Sequence, residues 1–309
     1  MKQNTSDALD AALSNLENNR NKTIQPKQSA IAKPNATQMP PRSARADNSS
    51  TIETAKTVQQ QLSENSLQQS QFNYSEQIFS ELNCNRSQLE ERNLVNCEFH
   101  QCDFSFASLA FVQAQNCKFY DCNFNQANLK ESLFSHCSFY DSERQLGCNF
   151  YAADLTNAKF TKSDLSLSVF ERSSMFGIEI VDCQAQGSSF KMADFGSLIR
   201  RNKPFYSAFI NNSNFRYADF SGCQLVKCDL AGSVFTSGNF LDADLQGCTL
   251  CAADLSAIQF ETLSLAGADL RNAQLTGLDI RKLDLQGVKI NDWQQSVLLE
   301  SLGVVVFPD

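Results

Sequence analysis

An apolar residue, usually Leu or Phe, recurs at every fifth position: Leu89, Leu94, Phe99, Phe104, Leu109, Ala114, Phe119, Phe124, Leu129, Phe134 and Phe139. The series resumes from Phe150 to Phe195 and again from Ile210 to Ile290. Two residues ahead runs a second, mostly small series, with Cys97, Cys102, Ala107, Cys117, Cys122 and Ala127, and later Ala218, Cys223, Cys228, Ala243, Cys248 and Ala253. The residue between is often Asp or Asn. A period of five is neither the 3.6 of a helix nor the 2 of an alternating strand. It suits a chain that turns a corner every five residues and closes a square coil in twenty. Large side chains then fill the centre and small ones the space beside them. Coils stacked at about 4.8 Å make a rod of roughly ten turns, about 50 Å long. Phe220, Phe240 and Phe260, one coil apart, should stack, and such a solenoid needs capped ends.

Residues 1–85 are different. They are rich in Ser, Asn, Gln, Thr and Ala, with eight basic and eight acidic residues that cancel. They hold too little apolar surface to offset the entropy of ordering, so a disordered extension is expected. Two segments, 6-SDALDAALSNLEN-18 and 52-IETAKTVQQQL-62, have weak helical spacing and are candidates for transient helices or docking elements. The whole formal charge of −8 lies in residues 86–309, which argues against direct binding to nucleic acid. No apolar run reaches a membrane span, and the start MKQNTSDALDAAL lacks the apolar core of a secretory signal. The expected compartment is the cytoplasm.

Twelve cysteines invite a metal reading, but ten fall on the small inward position and the pairs are CxxxxC. They read as core-filling small hydrophobes. His100 and His136 take outward positions with no nucleophile or phosphate-loop motif beside them. Asp154, Asp164, Asp219, Asp229, Asp244, Asp254 and Asp269 recur just before the large residue, where they read as an outward, solvated face. No catalytic residue, metal site or cofactor is expected, and the chain does not read as an enzyme.

Past Ile290, 291-NDWQQSVLLESL-302 has helical spacing, ends at Gly303 and is followed by the apolar, strand-like 304-VVVFP-308. A helix capping the coil is expected. Trp293, Val297, Leu298, Leu302, Val304 and Val306 are the candidate homodimer contacts, since an apolar tail beyond a cap needs cover.

The period fails twice. Phe139 to Phe150 is eleven residues, ten plus one, so the intervening segment must bulge. Phe195 to Ile210 is fifteen, which keeps the phase, yet 198-LIRRNKPFY-206 lacks the repeat pattern and is basic on an acidic body. The pentad pattern over residues 88–290 resembles the pentapeptide-repeat family, whose fold is an all-β solenoid, a right-handed quadrilateral β-helix. The stretches 137-CSFYDSERQLGCNF-150, 177-GIEIVDCQAQGSSF-190 and 279-DIRKLDLQGVKINDWQQSVLLESLGVVV-306 are similar to the Qnr quinolone-resistance proteins. That resemblance implies two projecting loops that contact a protein partner. Loop A is Tyr140, Asp141, Ser142, Glu143, Arg144, Gln145, Leu146 and Gly147. Loop B spans about 196–207, with Ser197, Leu198, Ile199, Arg200, Arg201, Asn202, Lys203, Pro204, Phe205, Tyr206 and Ser207 as contacts.

The resemblance further implies binding to DNA gyrase and topoisomerase IV, the type II topoisomerases. The rod would protect them from fluoroquinolones, as an acidic DNA mimic or through loop contacts that destabilise the drug–enzyme–DNA complex. Immunity to a gyrase-directed toxin, or a secreted effector or scaffold using residues 1–85, are the alternatives. Residues 1–85 have no counterpart in typical members, and extra repeats near Cys97–Phe104 are expected to lengthen the rod. The organisation expected is therefore extension 1–85, coil 86–290 with its two loops, and helix and tail 291–309.

Overall fold

The computed structural model describes residues 73–200, 203–261 and 263–307. At nearly every fifth residue the backbone turns through a left-handed corner, as at Glu91, Asn96, Gln101, Phe106 and Phe111, with φ between +53° and +60°. That conformation is unfavourable for residues other than glycine unless its surroundings hold it. Two kinds of hydrogen bond do so. Corner amides donate to the neighbouring turn, as Asn96 N to Gln115 O (2.9 Å) and Gln101 N to Tyr120 O (2.8 Å). The recurring Asp or Asn accepts from the amide two residues on, as in Asp164 to Ser166 (2.9 Å) and Asp219 to Ser221 (2.8 Å).

All seven of the regularly placed aspartates named above make this bond and are half-buried. The expectation of a free solvated face is therefore corrected. These carboxylates build the corners, the local side-chain-to-backbone bonding at which Asp and Asn excel.

A parallel ladder runs through the described coil: Asn73, Asn93, Gln113, Leu133, Lys159, Glu179, Phe209, Asp229, Thr249, Asp269 and Lys289. Its steps are twenty residues except at the loops. Leu133 pairs with Lys159, six residues more than a plain turn. Glu179 pairs with Phe209, ten more. The bulge at loop A is thus six residues inserted into one side, where ten plus one was expected. Phe139 and Phe150 lie on adjacent sides, their rings 5.5 Å apart and edge-on.

Aromatic rings occupy the centre in columns. Phe104, Phe124, Phe150, Phe170, Phe190, Phe220 and Phe240 stack at 4.8–5.2 Å, and the column passes both insertions without a break. It ends at Phe240. Phe260, expected to extend it, is half-buried. It packs against the core from there, and the adjacent small position is taken by a branched side chain, Ile258, which is 6% exposed. Eleven cysteines are buried, Cys251 is half-buried, and all twelve are free. Buried serines share their columns: Ser163 Oγ accepts from Cys137 N (3.1 Å), and Ser213 Oγ from Cys183 N (2.9 Å).

The coil begins earlier than the sequence pattern suggests. Asn73–Ser75 and Ile78–Ser80 already pair with the next turn, so residues 73–85 belong to the rod and not to the extension placed over 1–85. The signal was masked by a swap. Leu82 takes the small position and Cys84 the large one, and both are buried. The remainder of the expected disordered extension, residues 1–72, lies outside the described residues.

Candidate functional site

Loop A is a small hairpin, Tyr140–Asp141 against Leu146–Gly147, antiparallel. Asp141 Oδ1 accepts from Glu143 N (2.9 Å) and Arg144 N (3.1 Å), which sets the tip. Gln145 turns it with φ +57°. Arg144 then reaches back to the coil, placing Nη1 3.2 Å from Asp121 Oδ2. Gln101 Nε2 donates to the same oxygen at 3.3 Å. Beneath the tip a groove is lined by His100, Gln101, Tyr120 and residues 141–144. Gly147 lies so close to the next turn that a Cβ would run into the backbone of Leu167 and Ser168. Leu146 is exposed, and Tyr140 and Asp141 are half-buried.

Loop B is a longer hairpin, Gly196–Arg200 against Lys203–Tyr206, with a bulge between Leu198 and Arg200. Its base is tied by Ser207 N to Phe195 O (3.1 Å) and Gly177 N to Ser207 O (2.7 Å). Asp194 Oδ1 accepts from Gly196 N at 2.8 Å. Tyr206 packs on the core. Phe205 is 54% exposed and meets Phe176 edge-on at 6.1 Å. Pro204 removes a donor from a two-stranded element that has no inner strand, where it is tolerated. Arg201 and Asn202, together with the side chains of Leu198, Ile199, Arg200 and Lys203, lie outside the described residues.

The two hairpins leave diagonally opposite corners. Phe134 and Ile210 share one side with the ladder; Phe139 is on the next side, Phe150 on the third and Phe195 on the fourth. Loop A therefore sits between the second and third sides, and loop B between the fourth and the first. Along the axis they are about two and a half turns apart, or about 12 Å.

The C-terminal helix is Gln294–Ser301, inside the expected 291–302. It is closed by a Schellman motif, with Gly303 at φ +80° and Val304 N donating to Leu299 O (3.1 Å). The residue that seals the coil is Gln294, 1% exposed, which the pattern of apolar residues did not mark. Its Nε2 donates to Leu270 O and Ala273 O, both at 2.9 Å, and its Oε1 accepts from Asn291 N at 2.7 Å.

Of the six expected dimer contacts, Trp293, Leu302, Val304 and Val306 are exposed, while Val297 and Leu298 are half-buried. Leu298, like the half-buried Leu283, Leu285, Val288 and Ile290, packs on the core. The tail 304–307 forms no strand, contrary to the extended element expected there.

Among the described residues, no cluster of three or more His, Cys, Asp or Glu is placed to hold a metal. No described helix is long and apolar enough to cross a membrane. Burial pushes the Cys84, Cys223 and Cys228 thiols up to about 12 and Cys183 up to about 11, so these sulfurs stay protonated and unreactive.

The sequence profile for pentapeptide repeats matches eight copies, over residues 83–119, 117–143, 147–175, 213–250 and 253–292. The gap at 144–146 falls on loop A, and the gap at 176–212 contains loop B. QnrB4, a pentapeptide repeat protein of Escherichia coli, is 46% identical over 72 residues, 23% of this chain and 34% of its own length. QnrB96 of Scandinavium goeteborgense, a quinolone resistance pentapeptide repeat protein, is 38% identical over 132 residues, 42% of this chain and 51% of its own length. The matches thus span about a third and a half of these relatives.

The solved structure of full-length QnrB1, a plasmid-mediated fluoroquinolone resistance protein, superposes with a TM-score of 0.62 at 35% identity, over 75% of this chain and 100% of that one. A pentad coil, the two hairpins that interrupt it and a C-terminal helix together make this chain a pentapeptide-repeat protein of the Qnr type.

Proposed function

We propose that this chain binds the type II topoisomerases DNA gyrase and topoisomerase IV and protects them from fluoroquinolones. It acts in the cytoplasm as a homodimer joined through the C-terminal ends, with both hairpins as contacts to the enzyme. The observation that carries the reading is the pair of hairpins. A coil of this regularity gains nothing from insertions of six and ten residues, yet both are built in with dedicated ties, Arg144–Asp121 at loop A and Tyr206 on the core at loop B. Elements placed on a rigid scaffold in this way are where binding residues concentrate. The dimer is supported by the run of exposed apolar side chains from Trp293 to Phe307 and the half-buried last turn beneath it.

The test is a gyrase supercoiling assay with ciprofloxacin. Added protein should restore supercoiling, and replacing 198–206 by a short turn should abolish the effect. Failure of the intact protein to protect would remove the whole reading. Full protection by the loop-deleted rod would remove the role of the loops.

A further inference from the structure

We infer that Phe176 is a positioning residue for loop B: its ring, on the coil against the base of the hairpin, holds that hairpin in the pose in which it meets the topoisomerase. The inference rests on the function proposed above. Backbone bonds put Phe176 in this place. On one side of it Met175 N donates to Asp194 O (2.6 Å), and on the other Gly177 N donates to Ser207 O (2.7 Å). Asp194 and Ser207 flank the paired strands Gly196–Arg200 and Lys203–Tyr206. Phe176 therefore stands between the two feet of the hairpin. On other turns the residue after the large one of this side is Glu90, Ala110, Lys130, Thr156 or Val226. The ring occurs on the turn that meets the loop.

The contact is with the returning strand. Phe205, paired across the hairpin with Ser197, meets the Phe176 ring edge-on, with centroids 6.1 Å apart and planes at 62°. Tyr206, the next residue, packs on the core, and a Cβ on Gly196 would lie 3.0 Å from its ring. Successive side chains of a strand point to opposite faces, so the two rings hold the hairpin from both. Phe176 is half-buried and is not one of the side chains that pack in the central core, so the coil can do without its ring. What the ring adds is a fixed direction for the hairpin. A binding element already held in its bound pose loses less conformational freedom on association.

The test compares Phe176→Ala and Phe176→Tyr with the parent, in the full chain, and uses Phe111→Ala, which removes an exposed ring elsewhere on the coil, as control. An edge-on aromatic pair shifts an equilibrium roughly twofold to tenfold. Amides of residues 196–200 and 203–207 should exchange about fivefold faster in Phe176→Ala. About five times as much of that variant should be needed for half-protection of gyrase against ciprofloxacin, with the melting temperature of the rod unchanged. Phe176→Tyr, which keeps the ring, and Phe111→Ala should match the parent in all three. Unchanged exchange and protection in Phe176→Ala would overturn the inference and leave the proposed function standing. Faster exchange with full protection would overturn the role in recognition. Weakened protection with unchanged exchange would make Phe176 a direct contact and overturn its positioning role. A parent that gives no protection would overturn the inference together with the reading beneath it.

Discussion

Replacing Gln294 by leucine should unseal the C-terminal end of the rod. The side chain is 1% exposed and makes three hydrogen bonds to backbone, at 2.9, 2.9 and 2.7 Å. Leucine keeps the volume, so the packing loss is small and the change isolates the polar contribution. At about 1 kcal/mol per hydrogen bond the loss is about 3 kcal/mol, rising to about 6 kcal/mol if the orphaned groups stay dry. Gln294→Glu sharpens the test. It keeps the acceptor for Asn291 N but points an anion at two carbonyls, so at neutral pH it should cost at least as much. In the folded chain that carboxyl would have a raised pKa. Its penalty should therefore shrink as pH falls and the protonated acid donates again. Urea denaturation at pH 7.5 and 5, with hydrogen exchange over residues 265–290, reads both effects. If both variants match the parent within about 0.5 kcal/mol, water already satisfies these carbonyls and the sealing role is wrong.

Alkali should destabilise the fold. The unfolded chain releases thiol protons above pH 9, while Cys84, Cys183, Cys223 and Cys228 hold theirs to about 11 or 12. Each then removes about 1.4 kcal/mol per pH unit over that window, so a melting temperature that stays flat from pH 8.5 to 10.5 would contradict the burial argument. Gly147→Ala should cost about 1–3 kcal/mol in chemical denaturation, because the new methyl meets backbone that cannot move aside. Arg144→Ala should change global stability by less than about 1 kcal/mol, since the pair with Asp121 is exposed. It should nevertheless speed hydrogen exchange in residues 141–147, and Asp121→Arg combined with Arg144→Asp should restore the slow rate.

What the sequence shows plainly is whatever repeats. The central column from Phe104 to Phe240 and the small inward cysteines follow from spacing alone, because a square coil offers only those positions to large and small side chains. What it hides is whatever departs from one position to one role. Leu82 and Cys84 exchange sizes, so the first turn looks like extension. Gln294 is polar and therefore escapes a search for apolar faces, although a coil end presents carbonyls and needs a donor. Asp121 looks like one more corner residue until loop A folds over and gives it Arg144. The loops themselves are visible as failures of the period, but the number of inserted residues depends on the register of the next turn. Eleven reads equally well as ten plus one or as five plus six, and only the pairing of Leu133 with Lys159 decides.

Charge offers a way to separate mimicry of DNA from recognition by the loops. A duplex carries about 30 charges over 50 Å, against a net −8 here. Within that net charge some carboxylates are paired locally, as Glu98 with Lys118 (2.8 Å) and Glu179 with Lys159 (2.8 Å). The corner aspartates can be discharged without dismantling the fold, because asparagine already does their work elsewhere. Asn123, Asn128 and Asn149 accept the amide two residues on at 3.1, 3.2 and 3.0 Å. Asp219, Asp229, Asp244 and Asp284 make that same bond. Changing all four to Asn moves the net charge from −8 to −4 and should leave circular dichroism unchanged. If the loops supply specificity, the discharged rod should protect gyrase within about twofold of the parent, because no loop residue is changed and long-range attraction chiefly affects association rate. A loss of protection tenfold or greater in a rod that remains folded would show that the acidic body is itself the recognised surface.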